Sequence, residues 1–175
     1  LARSMGVKED TARHYLDILT GAFMVRQLPP WFTNTGKRLV KAPKIYIRDS
    51  GLLHALLGLK SMNQLLSHPG LGFSWEGFAL DQVIRAAAAE RDSFFYRTHA
   101  GAELDLLIFR GARRYGFEFK FADRPAFTRS MRVALEDLKL HKLWVVYPGD
   151  GKYKLDAKID ALPLRMCLTA VEEMR

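Results

Sequence analysis

The sequence predicts a mixed α/β domain, because a long amphipathic helix is followed by three short strands, a second helix and a buried strand. The long helix spans residues 73 to 91, where apolar side chains recur at helical spacing into an alanine run. Gly101 and Gly111 separate the three strands, as turn residues of a meander do. The apolar segment at 143 to 148 is typical of a strand buried on both faces. This order favours a mixed sheet flanked by helices over an all-β barrel.

Residues 1 to 49 are predicted to form a partial winged helix-turn-helix. Gly6 interrupts two helical patterns, and a turn containing glycine lets the second helix cross the first steeply. Residues 23 to 28 alternate as a short strand, and KAPKIYIRD at 41 to 49 supplies the returning strand of a wing. The mixed charge of the exposed face favours a packing role over base-specific readout. We expect an exposed apolar patch at its start, where a first helix would be missing.

Residues 50 to 72 are predicted to be a helical connector, and residues 73 to 175 the main domain. Asp49 and Ser50 are candidate N-cap residues for a short buried helix rich in leucine. His54 in that helix is expected to be polar surface, because no second residue at metal-ligand spacing stands near it. In the main domain we predict strands at 94 to 97, 104 to 109 and 114 to 121, and a helix at 126 to 140.

Composition limits the classes of function. The 175 residues carry a formal net charge of +8, which favours polyanionic partners such as nucleic acid, although many soluble domains are basic without binding it. Cys167 is the single cysteine, so an internal disulfide and a cysteine-based zinc site are excluded. Its apolar surroundings predict a buried side chain without chemistry. No segment has the length of a membrane helix, so we expect a cytoplasmic protein with no membrane partner.

One group of charged residues predicts chemistry. Glu118 and Lys120 alternate with phenylalanines on one strand, so they share a face, and Glu103 and Asp105 share a face of the preceding strand. Carboxylates that converge in this way raise one another's pKa unless a cation compensates them. Mg²⁺ or Mn²⁺ prefers such oxygens and can assist phosphodiester cleavage. The Lys120 ammonium would then orient the attacking water or stabilise developing negative charge.

The order Asp105, then Glu118-Phe119-Lys120, resembles the D…(D/E)-X-K signature of the PD-(D/E)XK nuclease superfamily. The resemblance implies a restriction-endonuclease-like core, with Glu76 of the preceding helix facing the metal. It further implies that Asp105, Glu118 and the Phe119 carbonyl bind Mg²⁺ or Mn²⁺, with Glu76 reaching the ion directly or through water. Leu104 stands where the superfamily usually has proline.

A second resemblance covers nearly the whole chain. KRLVKAPKIYIRDSGLLHALLGL, the WEGF helix, AELDLLI, GFEFKFAD and LWVVYPGD are similar to the C-terminal region of a prokaryotic AAA-type ATPase family. In that family an ATPase domain precedes a winged helix and a nuclease-like domain. The resemblance implies that ATP binds only in a missing N-terminal domain, which would be a partner of this region. The chain itself contains no P-loop motif, so we expect no ATPase site in it.

Two functions stay open from the sequence. The first is a metal-dependent phosphodiester hydrolase or nucleic-acid-binding domain acting on DNA, less readily on RNA. Arg97 and Arg124 flank the motif strands and are candidates for phosphate contacts, whereas His99 is expected to be polar loop surface. The alternative is a noncatalytic nuclease-like module that regulates or docks the ATPase domain.

Overall fold

Short runs of helices and of strands follow one another along the chain, and the described strands form one large sheet and one small one. The structure is a computed structural model that describes residues 2 to 32 and 36 to 174. In chain order the elements are α1 (Ala2–Met5), α2 (Glu9–Gly21), β1 (Val25–Leu28), β2 (Lys44–Ile47), α3 (Ser50–Leu56), α4 (Met62–Leu66), α5 (Leu71–Ala86), β3 (Ser93–Arg97), β4 (Glu103–Arg110), β5 (Arg113–Phe119), α6 (Arg129–Asp137), β6 (Lys142–Tyr147), β7 (Tyr153–Asp156), β8 (Ile159–Pro163), a 3₁₀ turn (Leu164–Met166) and α7 (Cys167–Glu173).

The large sheet has six strands in the order β3-β4-β5-β6-β8-β7. β3, β4 and β5 form an antiparallel meander, β5, β6 and β8 are parallel neighbours, and β7 closes the far edge antiparallel to β8. The crossover from β5 to β6 passes through α6, because parallel strands cannot be joined by a tight turn. The structure confirms the mixed α/β architecture that the element order predicted.

Helices cover both faces of this sheet. On one face α5 buries Ala79, Leu80, Val83 and Ile84 against strand residues, and α7 joins the same apolar cluster. On the other face α6 contributes Met131 and Ala134 to a second cluster. None of the helices in the described ranges is long and apolar enough to cross a membrane.

The N-terminal part consists of two helices and a two-stranded hairpin. Gly6 turns the chain between α1 and α2 at a φ of +64°, a conformation that favours glycine. β1 pairs antiparallel with β2, and Val25 lies opposite Ile47. Large apolar side chains of this part are exposed, and they are Met5, Tyr15, Ile18, Leu19, Phe23 and Met24. The predicted succession of helices and strands is therefore present. Among the described residues before Lys8, Met5 is the one exposed large apolar side chain, and the other exposed apolar side chains lie on α2 and in the turn before β1.

Several sequence predictions need correction. The helix after Asp49 is not buried, because α3 has only seven residues and leaves Leu56 and Leu57 exposed. Asp49 does cap it, since its Oδ1 accepts a hydrogen bond from the Leu52 N–H at 2.7 Å. α5 ends at Ala86 and not at residue 91, because Ala88 adopts a φ of +47° that stops the helix.

The second predicted helix is shorter than expected, and the last elements were missed. α6 begins after Thr128, whose hydroxyl accepts a hydrogen bond from the Met131 N–H, and it spans nine residues. β7, β8 and α7 were not predicted. Cys167 starts α7 half-buried against the core, where burial raises the pKa of its thiol.

An ion-pair network fastens the N-terminal hairpin to α5. Arg26 of β1 is 7% exposed, and its guanidinium donates to Asp81 at 2.6 Å and to Glu90 at 2.7 Å. Arg48, just after β2, lies within ion-pair distance of the same two carboxylates. Arg85 binds the second oxygen of Asp81 at 2.6 Å. Asp81 is therefore within ion-pair distance of three guanidinium groups, and the hairpin cannot leave α5 without separating Arg26 and Arg48 from it.

Replacing Asp81 with alanine should destabilise the whole protein, because it leaves the Arg26 and Arg48 guanidinium groups, which are 7% and 15% exposed, without their common ion-pair partner. We expect the free energy of unfolding to fall by about 3–5 kcal/mol. Urea denaturation followed by circular dichroism measures it. Glu90→Gln is the matched control, since the Glu90 side chain is 49% exposed, and it should cost less than about 1 kcal/mol. Equal small effects of both variants would show that the network does not hold the hairpin.

Candidate functional site

The pairing of β4 with β5 brings two buried carboxylates together. Leu106 pairs with Phe117, so Asp105 and Glu118 occupy the next step of the same ladder. They are 5% and 4% exposed. The Phe119 N–H donates to Asp105 Oδ2 at 3.1 Å, which fixes the aspartate against β5. The site thus starts from two carboxylates held by the sheet itself.

An irregularity in β4 lies at the same place. Between the pairs Phe94–Leu107 and Tyr96–Leu104, β4 uses one more residue than β3. Such a bulge re-aims side chains and is frequent beside functional sites. The strict alternation assumed from the sequence does not hold across these residues, yet Glu103 and Asp105 still reach a common partner.

That partner is Lys44, which sequence reasoning missed. Its ammonium lies 2.9 Å from Glu76, 2.6 Å from Glu103 and 3.1 Å from Asp105. Alternation along β2 puts Lys44 and Tyr46 on one face, and the Tyr46 hydroxyl donates to Glu76 at 2.5 Å. Two polar groups alternating with isoleucines in KIYI were the available signal.

Burial on its own lowers the pKa of Lys44, but the surrounding anionic groups, Asp105 foremost, outweigh it and raise the pKa well above the ordinary value. The ammonium is therefore a permanent positive charge. For Tyr46, burial acts in the opposite sense and raises the pKa of the hydroxyl. The nearby Glu76 raises this pKa further, so the hydroxyl stays a donor.

Glu118 is less well compensated than the carboxylates around Lys44, because only one of its two oxygens has a partner in the described structure. One oxygen is 3.0 Å from Lys120, whose side chain is 44% exposed. The other, Oε1, is buried and has no hydrogen-bond partner among the described residues. Burial raises the pKa of Glu118 to about 8, and the negative charge of Asp105 raises it as well. A cation bound to Glu118 Oε1 would give this oxygen the partner that it lacks among the described residues.

The donor chemistry fits a hard divalent cation, although a preformed ligand cage is absent. Asp105 and Glu118 supply anionic oxygens, which Mg²⁺ and Mn²⁺ prefer. Among residues 2 to 32 and 36 to 174, no three His, Cys, Asp or Glu side chains stand in an arrangement that would hold a metal. The Lys44 ammonium lies between the carboxylates Glu76, Glu103 and Asp105.

The remaining predicted residues lie around this centre. Arg97 is half-exposed, and its Nε lies 3.5 Å from Glu103, which places the guanidinium at the rim of the carboxylate group. Arg124 is exposed and stacks over the Tyr153 ring of the edge strand β7, at 5.3 Å. The structure gives Arg124 no contact with the carboxylates within its described part. His54 contacts Ser74, and His99 is exposed.

Comparison with known proteins places this arrangement in a family. The family model described as "Domain of unknown function (DUF4143)" matches residues 71 to 167, and "Domain of unknown function (DUF8612)" matches residues 1 to 63. Uncharacterized proteins of Mycobacterium bovis and Mycobacterium tuberculosis are each 49% identical over 99% of this chain. The chain spans 40% of the length of these relatives. The DUF4143 match includes the sheet meander, α5 and all five carboxylate and lysine positions predicted from the sequence, which are Glu76, Glu103, Asp105, Glu118 and Lys120. It covers more than half of the chain, which therefore belongs to the DUF4143 family.

Proposed function

We propose that this domain is a metal-dependent phosphodiester hydrolase that acts on DNA, and less readily on RNA. The observation that carries the proposal is the buried pair of Asp105 and Glu118, in which Glu118 Oε1 has no partner among the described residues. A buried carboxylate oxygen without a partner is costly, and groups perturbed in this way cluster at functional sites. Lys120 beside it supplies the ammonium that phosphodiester chemistry requires.

Each residue has a defined task in this proposal. Asp105, Glu118 and the Phe119 carbonyl would hold Mg²⁺ or Mn²⁺, with Glu76 contributing directly or through water. When bound, the divalent ion would polarise a phosphoryl oxygen and acidify a water molecule. Lys120 is exposed enough to reach a substrate phosphate while its ammonium remains paired with Glu118. It would stabilise the negative charge that develops during cleavage.

A basic cleft supports nucleic acid as the substrate. The segment at residues 37 to 42 lies along the end of β3, where the Val40 N–H donates to the Arg97 carbonyl at 3.0 Å. A cleft of about 810 Å³ opens here, and its lining includes Arg38, Lys41 and His99. No ion pair in the described part of the chain involves Arg38 or Lys41. Free cations beside Arg97 suit a phosphate backbone.

The finer fold assignments belong to the same proposal. The meander β3 to β5, the α6 crossover to β6 and α5 in front of the sheet agree with a PD-(D/E)XK core. The two helices and hairpin before residue 49 agree with a winged helix. The chain spans two fifths of its relatives, and we propose that an AAA-type ATPase domain belongs to the parent protein.

A noncatalytic module is the second candidate function. It is favoured by Lys44, which already forms ion pairs with Glu76, Glu103 and Asp105. In that case the carboxylates would serve to hold the hairpin on the sheet, and the domain would dock or regulate the ATPase domain. The two candidates differ in whether metal is needed for chemistry.

A cleavage assay separates the two candidates. With Mg²⁺ or Mn²⁺ the protein should cut a panel of single-stranded, duplex and branched DNA, and EDTA should stop it. Lys120→Ala should lower the rate by about 10²-fold or more with nearly unchanged DNA affinity, because its ammonium acts mainly in the transition state. Glu118→Gln should also weaken metal binding. Absence of metal-dependent cleavage by the wild type, or undiminished cleavage by both variants, would leave only the noncatalytic module.

Glu118→Gln should also stabilise the metal-free protein near pH 7. The unfolded carboxyl is ionised at that pH, whereas the folded state raises its pKa to about 8 and so disfavours the charge. An amide removes this penalty but gives up the ion pair with Lys120, and we expect a net gain of about 1–2 kcal/mol in the free energy of unfolding in EDTA. Urea denaturation measures the gain. Glu136→Gln on the exposed face of α6 is the control and should change nothing measurable.

The basic cleft makes a separate prediction about salt dependence. Replacing Arg38 and Lys41 together with alanine should weaken duplex binding irrespective of sequence, because two phosphate contacts are lost. The slope of log affinity against log salt should become shallower by about 2. Fluorescence anisotropy at salt concentrations from about 50 to about 200 mM gives the slope. The double variant Lys8→Ala and Lys154→Ala removes the same charge elsewhere, and an equal change there would refute the cleft.

A further inference from the structure

Lys44 uses its whole donor capacity on the candidate site. An ammonium has three N–H donors, and Lys44 meets three carboxylates from two different elements. Glu76 lies on α5, while Glu103 and Asp105 lie on β4. The Lys44 side chain is 19% exposed and its ammonium lies 5.7 Å from the centre of the Phe95 ring. It is therefore enclosed in the site and is not a mobile surface lysine.

This position conflicts with a divalent ion that uses the same oxygens. Asp105 Oδ1 and Glu76 Oε1 each accept from Lys44, and both belong to the group that would hold Mg²⁺ or Mn²⁺. A metal binds oxygen at about 2.0–2.1 Å, so a bound ion and the ammonium would be close neighbours. Two positive charges at that separation repel strongly in a half-buried site.

The position of Lys44 depends on the N-terminal hairpin. β2 lies so close to α5 that a Cβ added at Gly77 would be 3.2 Å from the Tyr46 ring. Tyr46 also donates to Glu76, and the Arg26–Asp81 pair fastens β1 to the same helix. A movement of the hairpin away from α5 would withdraw the ammonium from the carboxylates.

We infer that Lys44 is an intramolecular cation that competes with the divalent ion, so that docking of the hairpin determines how readily the site takes up metal. The inference rests on the proposed function, because it concerns the same metal site. It gives the two family segments a joint role: the first supplies the competing charge, and the second supplies the ligands. Metal occupancy and hairpin position are then linked in both directions.

Lys44→Met tests this directly in the 175-residue protein. Titration with Mn²⁺ by isothermal calorimetry should show binding at least about tenfold tighter than in the wild type, since a competing charge has been removed. In EDTA the variant should melt at a lower temperature, because three carboxylates lose their cation. Mn²⁺ should then raise its melting temperature by more than it raises that of the wild type. Lys154→Met, an exposed strand lysine, is the charge-matched control and should behave as the wild type.

The outcomes separate this inference from the nuclease proposal. Tighter Mn²⁺ binding by Lys44→Met without DNA cleavage supports the competing cation and refutes the nuclease. Cleavage by the wild type with equal Mn²⁺ affinity in wild type and variant refutes the competing cation alone. Lys44→Gln also removes the charge, and it replaces Lys44→Met in the test if the methionine variant does not fold. If the folded neutral variants bind Mn²⁺ no more tightly than the wild type, the inference is overturned.

Discussion

The burial of carboxylates where β4 meets β5 is the constraint on which the rest of the structure depends. Asp105 and Glu118 are almost inaccessible, and removing such charges from water costs several kcal/mol per ion by order of magnitude. The protein compensates them with two ammonium groups from different directions, Lys44 from β2 and Lys120 from the end of β5. The compensation is incomplete, because Glu118 keeps one oxygen without a partner in the described structure. This remaining deficit is the observation on which the proposed cation site rests.

Charge compensation also explains where the N-terminal hairpin lies. Apolar contact alone would allow β2 to slide along α5, but Lys44 must reach Asp105 and Tyr46 must reach Glu76 at the same time. A second ionic contact fixes the other strand of the hairpin, since Arg26 is buried against Asp81. Buried ion pairs are weak sources of net stability, but they are selective for one arrangement, because any other leaves a charge uncompensated. α5 carries both Glu76 and Asp81, so it is the element that sets the register between hairpin and sheet.

Most of the sheet could be predicted from the sequence, because strand alternation and turn residues are visible within short segments of the chain. The period-two pattern of GFEFKF and the glycine turns define the meander, and alternation alone places Glu118 beside Lys120. Lys44 could not be predicted in this way, since it meets Asp105 across 61 positions of sequence through the docking of a separate hairpin. The bulge in β4 was equally hidden, because it depends on the pairing with β3. The burial expected for α3 was wrong for a related reason: leucines at helical spacing show an apolar face but not whether another element covers it.

Ion pairs join the two family segments, so the segments should not be treated as two independent domains. Lys44 and Tyr46 belong to the segment at residues 1 to 63, whereas their partners Glu76 and Asp105 belong to the segment at 71 to 167. Separating the segments would leave carboxylates on one side without their ammonium, and Arg26 on the other without Asp81. Each segment therefore supplies the opposite charge for buried groups of the other: Lys44 for the carboxylates, and Asp81 for Arg26. The sheet and the hairpin act as one physical unit, and the chemistry of the carboxylate site cannot be assigned to the sheet by itself.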